Sequence, residues 1–403
     1  MNRTFMKHEL AITSKSRKNI PFIVFLGVFL FSYCLVILPN QETNETFRPI
    51  EVKEFLDNVH VEQSYREQKG YTGINVMSGV PVYATNAHYD TLYYAMLTAY
   101  EDHDFNRYLR LRTFYLEGHM HAFIGDPTLF TESPMPRKDA THLYYQTMLR
   151  FDDYLKNDYK VSYGMIHEKT GLQVLQNILL NYGMYLFLFC VIYLSSDILV
   201  RDRQYRTVLQ GFPLSWYRLL NLKTLSVFLY SLLVIMGLII AGVFVVSLQY
   251  GFGSFEMKVP VMIAQQFFTL KDYDVITTAQ FLLKSLSVIP VLAYLFIRLN
   301  LVLSLLLKNE WLVLTVSSLI LFSERFYFTR TSRELFGIDI SYFPQTYFDF
   351  GKIITGEKNF LLNTETITYV KGIIVLLITI LLIEGMLIIV SRIVNKRSFY
   401  QTR

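Results

Sequence analysis

Residues 20–39, IPFIVFLGVFLFSYCLVILP, carry no charged side chain. A helix of about 20 predominantly apolar residues is what crosses the hydrocarbon core of a bilayer. Lipid offers no partner to an open backbone N–H or C=O, so such a run has few other fates. A signal peptide would be shorter and end at a small-residue cleavage site. Here Pro39-Asn40-Gln41-Glu42 follows, which reads as the exit of an uncleaved span. Further apolar runs cover 174–199, 224–248, 280–303 and 369–393. A shorter run opens at Trp311 and stops before Glu324. Six spans are expected, with this fifth one the shortest.

Hydrophobic residues make up 52% and charged residues 18% of the 403 positions, and the mean hydropathy is +0.30. An average soluble domain carries about 25% charged residues. A disordered chain has low hydrophobicity and high net charge, which excludes that class. The apolar residues are gathered in blocks, which argues against a purely soluble protein. Cys34 and Cys190 both lie in apolar runs and offer neither a disulfide framework nor a zinc spacing, so they read as packing thiols.

The net charge of +5 is unevenly spread. Segment 40–173 holds 19 acidic and 13 basic residues, leaving 25 basic and 14 acidic elsewhere. These basic residues hug the ends of apolar runs, the pattern of a membrane protein rather than of a nucleic-acid binder. Arg3, Lys7, Lys15, Arg17 and Lys18 precede the first run. Arg201, Arg203, Arg206, Arg218 and Lys223 follow the second, and Lys396, Arg397 and Arg403 follow the last. The positive-inside rule puts all three groups in the cytoplasm, which six spans allow and five do not. Segment 324–366 opposes the rule, since it carries Arg325, Arg330, Arg333, Lys352 and Lys358 yet falls outside.

The domains expected are therefore a cytoplasmic tail and elbow helix at 1–19, a first span at 20–39, an extracytoplasmic domain at 40–173, and a five-helix bundle at 174–403. In the outer domain, Leu92, Ala95, Met96, Ala99 and Tyr100 recur at helical spacing, as do Leu143, Tyr144, Thr147, Met148, Phe151 and Leu155. Gly125-Asp126-Pro127 and Ser133-Pro134-Met135-Pro136 break the two patterns apart, and 70–87 reads as loop or short strand. Seven of the eight histidines lie here: His60, His88, His103, His119, His121, His142 and His167. His119-x-His121 is their tightest pair, but zinc sites use more compact ligand sets, so surface or packing roles are expected and no metal. Asn44-Glu45-Thr46 fits a glycosylation sequon.

No catalytic motif is visible, and no cofactor is implied. The nearest approach to a phosphate-binding loop is GKIITG at 351–356, followed by Glu357-Lys358-Asn359 instead of Lys and Ser/Thr. Energy for any work must come from another subunit or an ion gradient. Glu384, in ILLIEGMLI, is the deepest intramembrane charge. It fits interhelical hydrogen bonding better than a proton relay, which needs several such groups. Lys284, Arg298 and Lys371 read as interfacial anchors.

Residues 197–223, DILVRDRQYRTVLQGFPLSWYRLLNLK, place a charged run at the end of a span, then a short amphipathic stretch, then Pro213-Leu214-Ser215 with Ser215 as a helix N-cap, then Lys223 opening the next span. This stretch resembles the coupling-helix region of type-2 ABC transporter permeases, which show an acidic residue, Gly-Thr, a Pro-Leu/Ile-Ser turn and a Lys. Asp202 and Thr207 match the acidic-to-Thr spacing; Arg206 stands where Gly is usual, and Asp202 replaces the usual Glu. Tyr342-Phe343-Pro344-Gln345-Thr346-Tyr347-Phe348 is similar to the Pro-x-x-Tyr-Phe segment outside the final span of such permeases. Phe5-Met6-Lys7-His8-Glu9-Leu10 resembles their interfacial elbow helix. The resemblance covers most of the chain except 40–173.

The resemblance implies the permease subunit of an ABC exporter, paired with an identical or related second permease and with separate ABC ATPase subunits, in a bacterial plasma membrane. Coupling would run through Asp202, Arg203, Arg206, Thr207, Pro213 and Ser215 in segment 200–223, with none of them catalytic. The aromatic-rich outer domain fits an amphipathic or hydrophobic cargo such as a peptide, lipid or drug. The rivals are a non-transporting membrane sensor or scaffold with 40–173 as ligand domain, and an ion-coupled carrier built on Glu384.

Overall fold

The computed structural model describes residues 2–76, 79–157, 159–204, 214–265, 269–330 and 333–401. They are mostly helical and divide into two compact units, Met1–Pro39 with Gly171–Arg403, and Asn40–Thr170.

The chain opens with α1 (Asn2–Ser14) and α2 (Asn19–Asn40), the latter containing a π turn at Tyr33–Ile37. Unit Asn40–Thr170 is built on α3 (Pro49–Lys69), α4 (Val82–Glu101), α5 (Phe105–Gly118) and α6 (Pro136–Lys156). Local chemistry sets their ends. Pro49 and Pro136 sit in the first turns of α3 and α6, where a missing N–H costs nothing. Gly70 closes α3 in the left-handed region at φ 65°. Asp104 caps α5 by accepting from the Arg107 N–H. The expected face of α4 is only partly the buried one: Leu92, Met96 and Ala99 are buried, Ala95 and Tyr100 half-buried. On α6 the buried stripe is Ala140, Tyr144, Thr147, Phe151 and Tyr154, so Leu143, Met148 and Leu155 flank it instead of leading it. The described residues between Gly70 and Pro81 form a loop with one bridge, Ile74 to Pro81, but 82–87, expected as loop or short strand, are already the first turns of α4.

In the other unit the second apolar run is not one helix. It forms α7 (Gly171–Leu180) and α8 (Gly183–Ser195), broken at Asn181-Tyr182. A Cβ on Gly183 would stand 2.5 Å from the Ile178 carbonyl oxygen, so only glycine lets the chain turn this tightly. Next come α9 (Trp216–Tyr250), α10 (Thr278–Leu306) and α11 (Glu310–Phe322). Thr277 and Gln280 form a capping box at the start of α10. Between α9 and α10 an antiparallel hairpin pairs β1 (Lys258–Met262) with β2 (Tyr273–Thr277), Lys258 opposite Thr277. After α11, the short helices α12 (Phe350–Ile354) and α13 (Glu357–Leu362) pack beside the hairpin, and α14 (Tyr369–Ile393) follows.

Among the described residues, five helices are long and apolar enough to cross a membrane: Asn19–Asn40, Gly183–Asp202, Trp216–Tyr250, Thr278–Leu306 and Tyr369–Ile393. This fits an α-helical, multi-pass membrane protein. The fifth expected span, α11, has 13 residues and falls below that length. Burial sorts the five. The apolar windows of the helices at 183–202 and 278–306 are 78% and 61% buried, whereas those of α2, α9 and α14 are 11%, 17% and 17% buried. Exposed apolar side chains all round a helix call for lipid or another chain as solvent. The core runs along α8 and α10, through Leu188, Val191, Ile192, Leu292, Phe296 and Leu301, and closes on Tyr347, Phe348 and Phe350.

Candidate functional site

On α1, Phe5, Glu9 and Thr13 follow one another every four residues and are all buried, so a carboxylate lies in the middle of an inward-facing stripe. Burying that charge is costly without a counter-ion. Lys223, near the start of α9, supplies one. Its Nζ donates to Glu9 Oε1 and to Asp202 Oδ1, each at 2.9 Å, and the side chain is fully enclosed. Arg201 Nη2 lies 3.5 Å from both Glu9 Oε2 and Thr13 Oγ1. Beside this, Lys18 pairs with Asp197 at 3.2 Å and donates to the Tyr193 carbonyl and Ser196 Oγ, both at 2.9 Å. Burial lowers the Lys18 ammonium below the usual lysine range, and Asp197 pulls it back up. Three carboxylates thus meet three cations where α1, the end of the second span and the base of α9 converge. Those elements lie up to 214 residues apart in sequence.

Of the expected coupling residues, Asp202 belongs to this cluster and is buried. Arg203 lies on the helical turn Val200–Gln204. Arg206, Thr207 and Pro213 lie outside the described residues. Ser215 holds the N-cap position of α9 in extended backbone, but its hydroxyl makes no cap hydrogen bond, so the cap is one of position only. Sequence reasoning missed the partnership of Glu9, Asp197, Arg201 and Lys223. The available signal was a carboxylate and a cation at the polar end of each apolar helix.

A second network joins α9, α10 and α14. Arg298 is not an interfacial anchor: it is buried, and its Nε stands 2.7 Å from Glu384 Oε1. Arg298 also donates to Tyr294 Oη at 3.0 Å, Thr224 Oγ1 at 3.2 Å and Asn221 Oδ1 at 2.7 Å. Tyr294 donates to Glu384 Oε1 at 2.6 Å. Glu384 is therefore a clamp between α10 and α14, neutralised on the spot. Asn181 Nδ2, in the break after α7, donates to the carbonyl of Asn177 in the last turn of that helix. Lys284 is exposed near the start of α10, and Lys371 lies 4.1 Å from the Tyr342 ring centre.

A third network lies after α11. Glu324 and Lys358 are both buried and pair at 2.6 Å, and the Tyr185 hydroxyl donates to Glu324 Oε2 at 2.9 Å. Lys352 pairs with buried Asp349 at 3.4 Å; burial raises the Asp349 carboxyl, against the pull of Lys352 and Lys358. Arg325 lies over the Tyr182 ring at 5.3 Å and Arg330 over the Phe360 ring at 5.4 Å. The cations of 324–366 that oppose the positive-inside rule are thus largely engaged within the fold. The GKIITG glycines serve packing too. A Cβ on Gly351 would meet the Leu179 carbonyl at 2.2 Å, and one on Gly356 the Met262 carbonyl at 2.1 Å.

In unit Asn40–Thr170 the His88 and His119 rings stack at 6.1 Å, and other histidines are engaged locally. His60 Nε2 lies 2.7 Å from Asp90, His142 Nε2 2.9 Å from Gln146 Nε2, and His119 Nδ1 2.9 Å from the Tyr115 carbonyl. His167 packs against the Tyr163 ring, and burial, aided by the Lys169 charge, pushes its imidazolium down to about 4. Among the described residues no three His, Cys, Asp or Glu side chains are grouped to hold a metal. Set against known protein families, characterised proteins and solved structures, the chain matches none.

Proposed function

We propose that the chain is the membrane-spanning permease subunit of an ATP-driven exporter of the ABC type. In this reading it has six spans, with α11 as the short fifth, both termini and segment 200–223 in the cytoplasm, and 40–173 outside a bacterial plasma membrane. It works with a second permease and with separate ATPase subunits. Its cargo is amphipathic or hydrophobic. The observation that supports the reading most is the buried Glu9–Lys223–Asp202 bridge. It ties the N-terminal helix, the end of the second span and the base of α9 into one body. A push on segment 200–223 would therefore move three membrane elements together. ATP binding would favour one arrangement of the bundle by binding it more tightly.

Glu384 gives little support to an ion-coupled carrier, because Arg298 and Tyr294 already occupy its carboxylate. A sensor or scaffold would use the same inner surface for a signalling partner. The test is reconstitution in vesicles with an ATPase subunit that co-purifies with the chain. The transport reading expects the chain to raise the rate of ATP hydrolysis and cargo to move only when ATP is present. An unchanged ATPase rate would favour the sensor, and cargo movement by the chain alone would overturn the proposal.

A further inference from the structure

Unit Asn40–Thr170 contains a cavity of about 320 Å³, within the size range of small-molecule sites. Its apolar side is made by Phe47, Val52, Phe55, Tyr93 and Met96. The Phe55 and Tyr93 rings stand 5.1 Å apart and Phe47 meets Tyr108 edge-on at 5.2 Å, so the walls are aromatic and mutually braced. Its polar side is an ion pair. Arg112 Nε donates to Glu45 Oε2 at 2.8 Å and Nη2 to Oε1 at 3.2 Å, a two-point clasp between largely buried groups. Arg48 and Glu51 form a second pair at 2.8 Å, and Arg48 also pairs with Glu42.

The charges lining the cavity cancel: Glu45 and Glu51 against Arg48 and Arg112. A ligand with net charge would leave one buried charge without a counter-ion, which is costly. A wholly apolar ligand would cover the clasp without bonding it, which is also costly. Yet the clasp has capacity left. A guanidinium has five N–H donors and a carboxylate about four acceptor sites, and the two bonds between them use few of either. Arg112 Nη1 makes no protein hydrogen bond among the described residues.

We propose that this cavity binds a small zwitterion with an aromatic body, the chemical class of free aromatic amino acids and aromatic dipeptides. The carboxylate of the ligand faces Arg112, its ammonium faces Glu45, and its ring lies against the apolar side formed by Phe47, Phe55 and Tyr93. The inference rests on this unit alone and holds whether or not the chain transports anything.

The experiment uses the full chain in nanodiscs and three probes at equal concentration: L-phenylalanine, its cationic amide and its anionic N-acetyl derivative. Saturation-transfer NMR with titration reads binding. Phenylalanine should bind saturably, and both derivatives at least tenfold more weakly. Val52→Phe, on a half-buried wall position, fills the cavity and should abolish binding while the unfolding temperature stays close to the parent value. Arg112→Met should also abolish binding, but it breaks a buried pair, so Val52→Phe carries the test. No saturable binding by any probe, equal binding of all three, or unchanged binding by folded Val52→Phe would overturn the proposal.

Discussion

Lys223 is fully enclosed and bridges two buried carboxylates, Glu9 and Asp202. Removing one partner of a buried ion pair costs about 3–5 kcal/mol, because the charge left behind has no counter-ion. We therefore expect Lys223→Met to destabilise the chain by about that amount. Neutralising the partners as well, in Lys223→Met with Glu9→Gln and Asp202→Asn, should restore much of it. Unfolding in detergent, compared between the parent, the single variant and the triple variant, checks both. His167 makes a second prediction. Its folded value of about 4 lies below the ordinary 6.5, so between those values the unfolded chain binds a proton that the folded one refuses. Stability of unit Asn40–Thr170 should therefore fall as pH drops from about 6.5 to about 4. His167→Gln should flatten that part of the pH profile, read as unfolding temperature against pH. Each residue of the inner cluster was visible in the sequence, but its partner was not. Glu9 and Lys223 stand 214 positions apart, and no periodicity links a carboxylate on one helix to an ammonium on another.

At the scale of elements, apolar runs revealed where the long helices lie but not where they break. The 369–393 run and α14 have the same bounds. The 174–199 run hides the break at Asn181-Tyr182, because the interruption depends on what Gly183 touches and not on hydropathy. On α6 the expected face is half the buried one: Tyr144, Thr147 and Phe151 are buried, and Leu143, Met148 and Leu155 are half-buried. Tyr154 and Ala140 pack inward, whereas Leu143 and Leu155, equally apolar, fall beside the stripe. The α11 helix is the element whose role most needs measurement. Its 13 residues span about 20 Å, short of the ~30 Å hydrocarbon core. The six-span reading needs it to cross, with the turn Glu324–Tyr327 extending its reach. Exposed Lys308 and Glu334 flank it, and both native cysteines are buried. In intact cells, Lys308→Cys should resist a membrane-impermeant thiol reagent, and Glu334→Cys should react. Labelling of both from one side would show that α11 turns back.

At the scale of the whole molecule, three charge networks are stacked along one helical unit: Glu9–Lys223–Asp202, Arg298–Glu384 and Glu324–Lys358. Each joins helices that are distant in sequence, and each closes its charges locally. Composition made the membrane class legible, since charge is scarce and apolar residues are blocked. Four cations of the 324–366 segment, Arg325, Arg330, Lys352 and Lys358, are engaged with aromatic rings, Asp349 or Glu324, contacts that charge counting along the sequence does not reveal. In the proposed reading, force from a cytosolic ATPase enters through segment 200–223 and is passed on by Asp202. Asp202→Asn in a reconstituted complex with the co-purifying ATPase tests this most directly. Because Lys223 keeps Glu9 as its counter-ion, the complex should remain assembled while the stimulation of ATP hydrolysis falls at least tenfold; stimulation equal to that of the parent chain in the assembled complex would contradict the reading.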